Sequence, residues 1–135
     1  MSVMLAGCGG GEAGGVDELR AEADARCGRA LREIPLPETV ADDSGVVLRQ
    51  KYQQQADLYR RLATDLQDLE PPRRVHADFE GYRAKTAEQA ENRIAITDAQ
   101  RANDIARFRS LRQQFRRIGQ AKARLRAELG LRVCP

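Results

Sequence analysis

Apolar side chains recur every three or four positions along most of the chain, which is the spacing of amphipathic α-helices. The first such stripe runs from Val16 to Ile34. It stops at Pro35 and Pro37, because proline lacks the N–H group that a helix interior needs. The pattern therefore predicts a first helix with this inward face: Val16, Leu19, Ala23, Cys27, Ala30, Leu31 and Ile34.

A second stripe is clear from Val47 onward and stops at Pro71-Pro72. Its start has two possible caps: Thr39 paired with Asp42, or a later one at Asp43-Ser44. The sequence leaves both starts open. The predicted inward positions are Leu48, Tyr52, Gln55, Tyr59, Leu62, Leu66 and Leu69.

Two further stripes follow the double proline. One begins near Arg73 and has as its inward face Val75, Phe79, Tyr82, Thr86, Ala90 and Ile94. It weakens over residues 97–104, where Asn103 or Asp104 could cap a new helix. Gly130 is placed to end that helix in the left-handed conformation. The inward positions of this fourth helix are Phe108, Leu111, Phe115, Ile118, Lys122, Leu125 and Leu129.

These stripes predict an all-α fold, an up-and-down antiparallel bundle of four helices in which the first is the shortest. The alternative is three long helices, if the last two continue through residues 97–104. A length of 135 residues suits a single domain. No run of 18 apolar residues is present, so the sequence predicts no membrane-spanning helix.

The N-terminal segment Leu5-Ala6-Gly7-Cys8 precedes a glycine-rich stretch. It resembles the lipobox of bacterial lipoproteins, in which the cysteine becomes the lipidated N-terminus. The resemblance implies that residues 1–15 are signal and tether, that residues 16–135 form the helical domain, and that Cys8 carries a lipid. Residues 1–4 lack the basic and apolar parts of a secretory signal, so we expect these parts upstream. The alternative is a free cysteine in an N-terminal arm.

A lipid on Cys8 leaves Cys27 and Cys134 as a pair, out of three cysteines in the chain. A disulfide between them agrees with export, since disulfides persist outside the cytosol. In an up-and-down bundle the fourth helix ends where the first begins. The tail after Gly130 is then long enough to fold back to Cys27.

Three short segments extend the resemblance over nearly the whole chain. They are Ala25-Arg26-Cys27, Leu69-Glu70-Pro71-Pro72 and the terminal stretch from Leu129 to Cys134. Together they are similar to small helical lipoproteins of high-GC Gram-positive bacteria. This resemblance implies secretion, an anchor and a disulfide, and it carries over no active site.

The net charge of +3 is unevenly distributed, because residues 12–70 are acidic and residues 103–135 strongly basic. Arginine suits bidentate contacts with phosphate, so the last helix could bind an anionic polymer or lipid surface. The other interpretation is pairing with the acidic first and second helices, together with solvation. Aromatic residues interleaved for base stacking are missing, which argues against sequence-specific nucleic-acid recognition. The candidate anion-binding residues are Arg109, Arg112, Arg116, Arg117 and Arg124.

No pattern of catalytic or metal-binding residues stands out. His76, the one histidine, has no glutamate three positions earlier and is expected to be solvated. The pairs Glu88/Glu91 and Asp42/Asp43 have no predicted cleft that would raise their pKa. Alanine-rich stripes argue against a cavity for a small ligand. We therefore expect no cofactor, no metal and no enzymatic activity.

The expected function is that of a non-catalytic lipoprotein of the cell envelope, anchored to the outer face of the membrane. Its helical bundle would be presented to an unidentified envelope protein or ligand, or serve a structural role. The alternative function is binding of an anionic polymer or lipid surface through the arginine-rich segment 103–129.

Overall fold

The computed structural model of the protein describes residues 12–135, with side chains from residue 15 onward. Four helices form the fold: α1 (Glu12–Glu33), α2 (Gly45–Asp65), α3 (His76–Arg101) and α4 (Ile105–Leu129). A 3₁₀ turn at Arg73–Val75 leads into α3, and the described residues contain no strand. None of these helices is long and apolar enough to cross a membrane.

Neighbouring helices run antiparallel, and their polar contacts fix this arrangement. The Arg26 guanidinium donates to the Asp65 carbonyl (2.7 Å), which joins α1 to the end of α2. Near the start of α3, Arg83 donates to the Leu66 carbonyl (2.9 Å). Asn92 in α3 donates to the Leu111 carbonyl of α4 (2.9 Å). The predicted all-α up-and-down bundle of four helices is confirmed.

α3 and α4 are separate helices, so the alternative of three long helices is wrong. The helix is interrupted at Asn103, which has a positive φ of 54°. Asparagine tolerates this conformation better than most residues do. The side chain of Asp104 then caps α4 by accepting the N–H of Arg107 (3.0 Å). This cap is one of the two that the sequence predicts.

α1 begins at Glu12, four residues before the predicted start at Val16. The expectation that the first helix is the shortest is wrong, since α1 has 22 residues and α2 has 21. Gly14 and Gly15 do not stop α1, because glycine costs a helix only about 1 kcal/mol whereas proline costs about 3 kcal/mol. The last part of the predicted tether therefore belongs to the helix.

α1 covers only the C-terminal part of α2, where Glu33 pairs with Arg61 (2.6 Å). The connector 34–44 covers the rest, and Gln54 donates to its Pro35 carbonyl (2.6 Å). The Ser44 hydroxyl accepts the N–H of Val47 (3.3 Å) and caps α2. The later of the two predicted starts of α2 is therefore confirmed.

The apolar core lies at the end of the bundle where α1 packs. The predicted stripe of α1 is buried there from Val16 to Ala30, with α2, α3 and the C-terminal tail around it. The prediction that Ile94 points inward is wrong, because its side chain is 38% exposed. α3 lies between α2 and α4, and its inward face continues from Ala90 to Arg93 and Thr97 instead.

The C-terminal tail returns along α1, as predicted. Gly130 ends α4 in the left-handed conformation, with a φ of 71°. Four residues later, Cys134 forms a disulfide with Cys27 (S–S 2.06 Å), and both half-cystines are fully buried. The predicted Cys27–Cys134 bond is confirmed.

Candidate functional site

The predicted lipidation site, Cys8, lies outside the described residues. The disulfide uses the other two cysteines of the chain, Cys27 and Cys134. It joins α1 to the tail that follows α4 and lies toward the end of the bundle at which α1 begins. Gly15 lies beside Pro72 at this same end.

α4 displays a row of exposed arginines. From residue 15 onward, no arginine of this helix forms an ion pair. The acidic groups of α1 and α2 that pair do so with other partners, as Glu33 does with Arg61. The predicted pairing of α4 with the acidic helices is therefore wrong, whereas the solvation that the same interpretation predicted agrees with the exposure of these arginines. All five candidate anion-binding side chains are exposed: Arg109, Arg112, Arg116, Arg117 and Arg124.

A further arginine, Arg93 of α3, is buried and only 6% exposed. The carbon at the centre of its guanidinium lies 4.6 Å from the ring centre of Tyr52 and 3.2 Å from that of Phe115. The guanidinium makes one polar contact in the described structure, a long one of 3.4 Å to the Asn92 side chain. Its Nε has no hydrogen-bond partner. Burial lowers the pKa of Arg93 to about 10, so the group stays charged at neutral pH.

Arg93, Arg112 and Arg116 come together around a depression of about 340 Å³ between α2, α4 and the connector. Arg112 and Arg116 are one turn apart on α4 and therefore share a face. Burial is the main cause of the lowered pKa of Arg93, and the positive charge of Arg112 acts in the same direction. The lining contains no carboxylate, and the remaining residues of the depression are Thr39, Tyr52, Phe115 and Gly119.

The structure thus unites two of the five predicted arginines and leaves Arg109, Arg117 and Arg124 outside the depression. The sequence analysis missed Arg93, the buried member of the site. Its signal was the spacing Thr86, Ala90, Arg93 and Thr97, which places a cation on the inward face of α3. Because the next residue, Ile94, is aliphatic, the prediction placed the inward face of α3 one residue too late at this point.

A second buried cation, Lys122, lies on the predicted inward face of α4. Its ammonium donates to the Gln89 side chain (2.8 Å). It also faces the rings of Tyr59 and Tyr82, whose centres are 5.2 Å and 4.8 Å away. Burial lowers the pKa of Lys122 to about 7, and the charge of Arg126 acts in the same direction. The tyrosine faces oppose this shift, because aromatic rings attract a cation.

The other candidate groups do not assemble. His76 is exposed, as predicted, and its Nε2 lies 3.9 Å from Glu80. Within the described range, no three His, Cys, Asp or Glu side chains are close enough to hold a metal ion. A depression of about 840 Å³ lies between α2 and α3, but it is a groove open to solvent and not an enclosed cavity.

No family model, curated protein or solved structure matches the chain.

Proposed function

We propose that this protein is a non-catalytic lipoprotein of the cell envelope, held at the outer face of the membrane by a lipid on Cys8. The observation that carries the proposal is the disulfide between Cys27 and Cys134. It supports export, because disulfides persist outside the cytosol. It also leaves Cys8 as the third cysteine, in a sequence that resembles a lipobox.

The start of α1 is compatible with the same function. α1 begins at Glu12, only four residues after Cys8, so a lipid on Cys8 would hold this end of the bundle near the membrane. The opposite end would face outward, and four exposed aliphatic side chains lie there: Val40, Val46, Val47 and Ile105. That end is the surface available to an envelope partner.

Intact mass spectrometry tests the anchor. The protein is expressed in a bacterium together with the upstream codons of its gene and is isolated from the membrane fraction. We expect the mass of a diacylglyceryl group on Cys8, and we expect Cys8→Ser to release the protein in soluble form. Cys134→Ser serves as a control for cysteine loss and should remain with the membrane. An unmodified mass from membranes would refute the proposal.

We propose as a second function the electrostatic binding of an anionic polymer or lipid surface. It is favoured by the exposed arginines of α4, which form no ion pair with any side chain from residue 15 onward. Such binding releases counterions and therefore weakens steeply as salt increases. Heparin chromatography over a range of salt concentrations measures this dependence. We expect Arg109→Gln/Arg117→Gln/Arg124→Gln to elute earlier than the parent. The charge-matched control Arg29→Gln/Arg32→Gln/Arg60→Gln should retain most of the binding, and equal losses in the two variants would contradict a role of α4.

A further inference from the structure

We infer that the depression formed by Arg93, Arg112 and Arg116 is a binding site for a phosphate group. This inference deepens the anion-binding function proposed above and rests on it, because Arg112 and Arg116 belong to both. It adds a discrete site, with a buried cation as its floor, to what would otherwise be a diffuse basic surface.

Arg93 has no anionic partner among the side chains from residue 15 onward. Burying a charged group is costly unless it is paired and hydrogen-bonded. Arg93 is more than nine-tenths buried, yet its only described polar contact is the 3.4 Å one to Asn92. The rings of Tyr52 and Phe115 compensate only part of this cost, because a ring face is a much weaker hydrogen-bond acceptor than an oxygen atom. An anion in the depression would supply the missing acceptors.

The lining of the depression matches a phosphate group in charge and geometry. Three arginines line the depression, and no carboxylate among its lining residues reduces their charge. Each guanidinium is a planar fork of N–H donors that can grip two oxygens of one phosphate. A tetrahedral phosphate has enough oxygens for several forks, whereas a single carboxylate has two.

The surroundings of the depression favour anion binding. The aromatic rings of Tyr52 and Phe115 exclude water from one side of the Arg93 guanidinium, and a charge interaction is stronger where water is excluded. Thr39 borders the depression from the connector. Lys51 fixes this connector by donating to the Glu38 carbonyl (2.7 Å) and pairing with Asp43 (2.9 Å). The volume of about 340 Å³ accommodates a phosphate together with a small organic group.

Calorimetric titration of the full chain carrying Cys8→Ser, with the disulfide formed, tests the site. The probes are inorganic phosphate and glycerol 3-phosphate at constant ionic strength, with acetate as the comparison anion. Vesicles of phosphatidylglycerol, compared with vesicles of phosphatidylcholine, separate a lipid phosphate from a free phosphate ester. We expect saturable binding of a phosphate probe and much weaker binding of acetate.

The variants are chosen so that charge alone cannot explain the result. Arg93→Met keeps the approximate volume and removes the buried cation. We expect it to weaken phosphate binding by about tenfold or more, the ratio typical for the loss of a charge-assisted contact. Arg112→Gln/Arg116→Gln alters only exposed positions and should have the same effect, which keeps the test decisive if Arg93→Met does not fold. The matched control is Arg29→Gln/Arg32→Gln, which removes two exposed arginines of α1 that lie outside the depression and should change the affinity by less than about twofold.

The outcomes separate the two levels of the proposal. Binding of free phosphate or of phosphatidylglycerol vesicles that depends on Arg93 supports the site and identifies its source of phosphate. Phosphate binding that Arg93→Met leaves unchanged, or that the control pair weakens equally, overturns it. No saturable binding of any phosphate probe also overturns it. If no phosphate probe binds but heparin is still retained, only the binding of anions by the exposed arginines is supported. If phosphate binds but heparin is not retained, only the phosphate site is supported.

Discussion

Asp24 lies about one turn before Cys27 on α1, and its carboxylate accepts a hydrogen bond from the backbone N–H of Cys134 (3.1 Å). The same carboxylate accepts the N–H groups of Val133 (2.9 Å) and Arg132 (3.0 Å). Three successive backbone donors around one oxygen pair form a concave anion site. Asp24 thus holds the tail in the position where Cys134 can meet Cys27, so that the disulfide and the carboxylate fix the tail together.

We expect Asp24→Ala to lower the free energy of unfolding by about 2 kcal/mol, because hydrogen bonds to a charged group typically contribute ~1.5–3 kcal/mol. Urea unfolding of the oxidised protein measures this change. Asp57→Ala is the control, since Asp57 is an exposed aspartate whose side chain makes no hydrogen bond in the described structure. An equal effect of the two substitutions would show that the tail does not depend on Asp24.

The disulfide should contribute a large part of the stability of the domain. Its half-cystines are 107 residues apart, and chain-entropy arguments give ~4–5 kcal/mol for a loop of that length. We expect Cys27→Ala/Cys134→Ala to lower the melting temperature by about ten degrees or more. Calorimetry with and without reductant checks this. Reductant should lower the melting temperature of the parent and leave that of the variant unchanged; a parent that reductant does not affect would contradict the prediction.

Most of the fold could be predicted because single residues mark where its helices end. Prolines end the first two stripes, and Gly130 ends the last helix with the left-handed φ that its position predicted. The start of α1 could not be predicted, because Gly14 and Gly15 weaken a helix without forbidding it. The relation between helix order and the disulfide was also predictable, since an up-and-down bundle brings both ends of the domain together.

The candidate site was only half predictable. The exposed arginines of α4 are evident from charge, but nothing in the sequence shows which of them face a depression. Arg93 was missed because burial of an arginine depends on tertiary neighbours: Tyr52 from α2 and Phe115 from α4 accept its guanidinium between them. The position of Thr39 depends on the connector, which has no regular periodicity.

Alanine substitution should change the free energy of unfolding in opposite directions at two glycines of the C-terminal half. A Cβ at Gly119 would meet nothing within 4 Å, so Gly119→Ala should stabilise α4 by ~0.5–1 kcal/mol through helix propensity. At Gly130, φ is positive and a Cβ would lie 2.8 Å from the Arg20 Nε. Gly130→Ala should therefore destabilise the protein by at least ~1 kcal/mol. Thermal unfolding of both variants checks the signs, and a stabilising Gly130→Ala would contradict this account of the helix end.

Lys122 should make stability depend on pH above neutrality. The folded protein holds the pKa of Lys122 at about 7, below its ordinary value of 10.5. Between these values the unfolded chain binds a proton that the folded chain has lost, so the free energy of unfolding rises with pH, by at most ~1.4 kcal/mol per pH unit.

We expect Lys122→Met to remove this slope between about pH 7 and pH 9.5, a range that stops below the pKa of an ordinary tyrosine. Met fills similar space between Tyr59 and Tyr82 but cannot donate to the Gln89 side chain, so the slope and not the stability at a single pH is the quantity to compare. Urea unfolding at several pH values gives the slope directly. Lys85→Met, at a half-exposed lysine that pairs with Glu88 (3.1 Å), should keep the slope of the parent. If Lys122→Met also keeps it, the ammonium is charged in the folded state and the two tyrosine faces outweigh its desolvation.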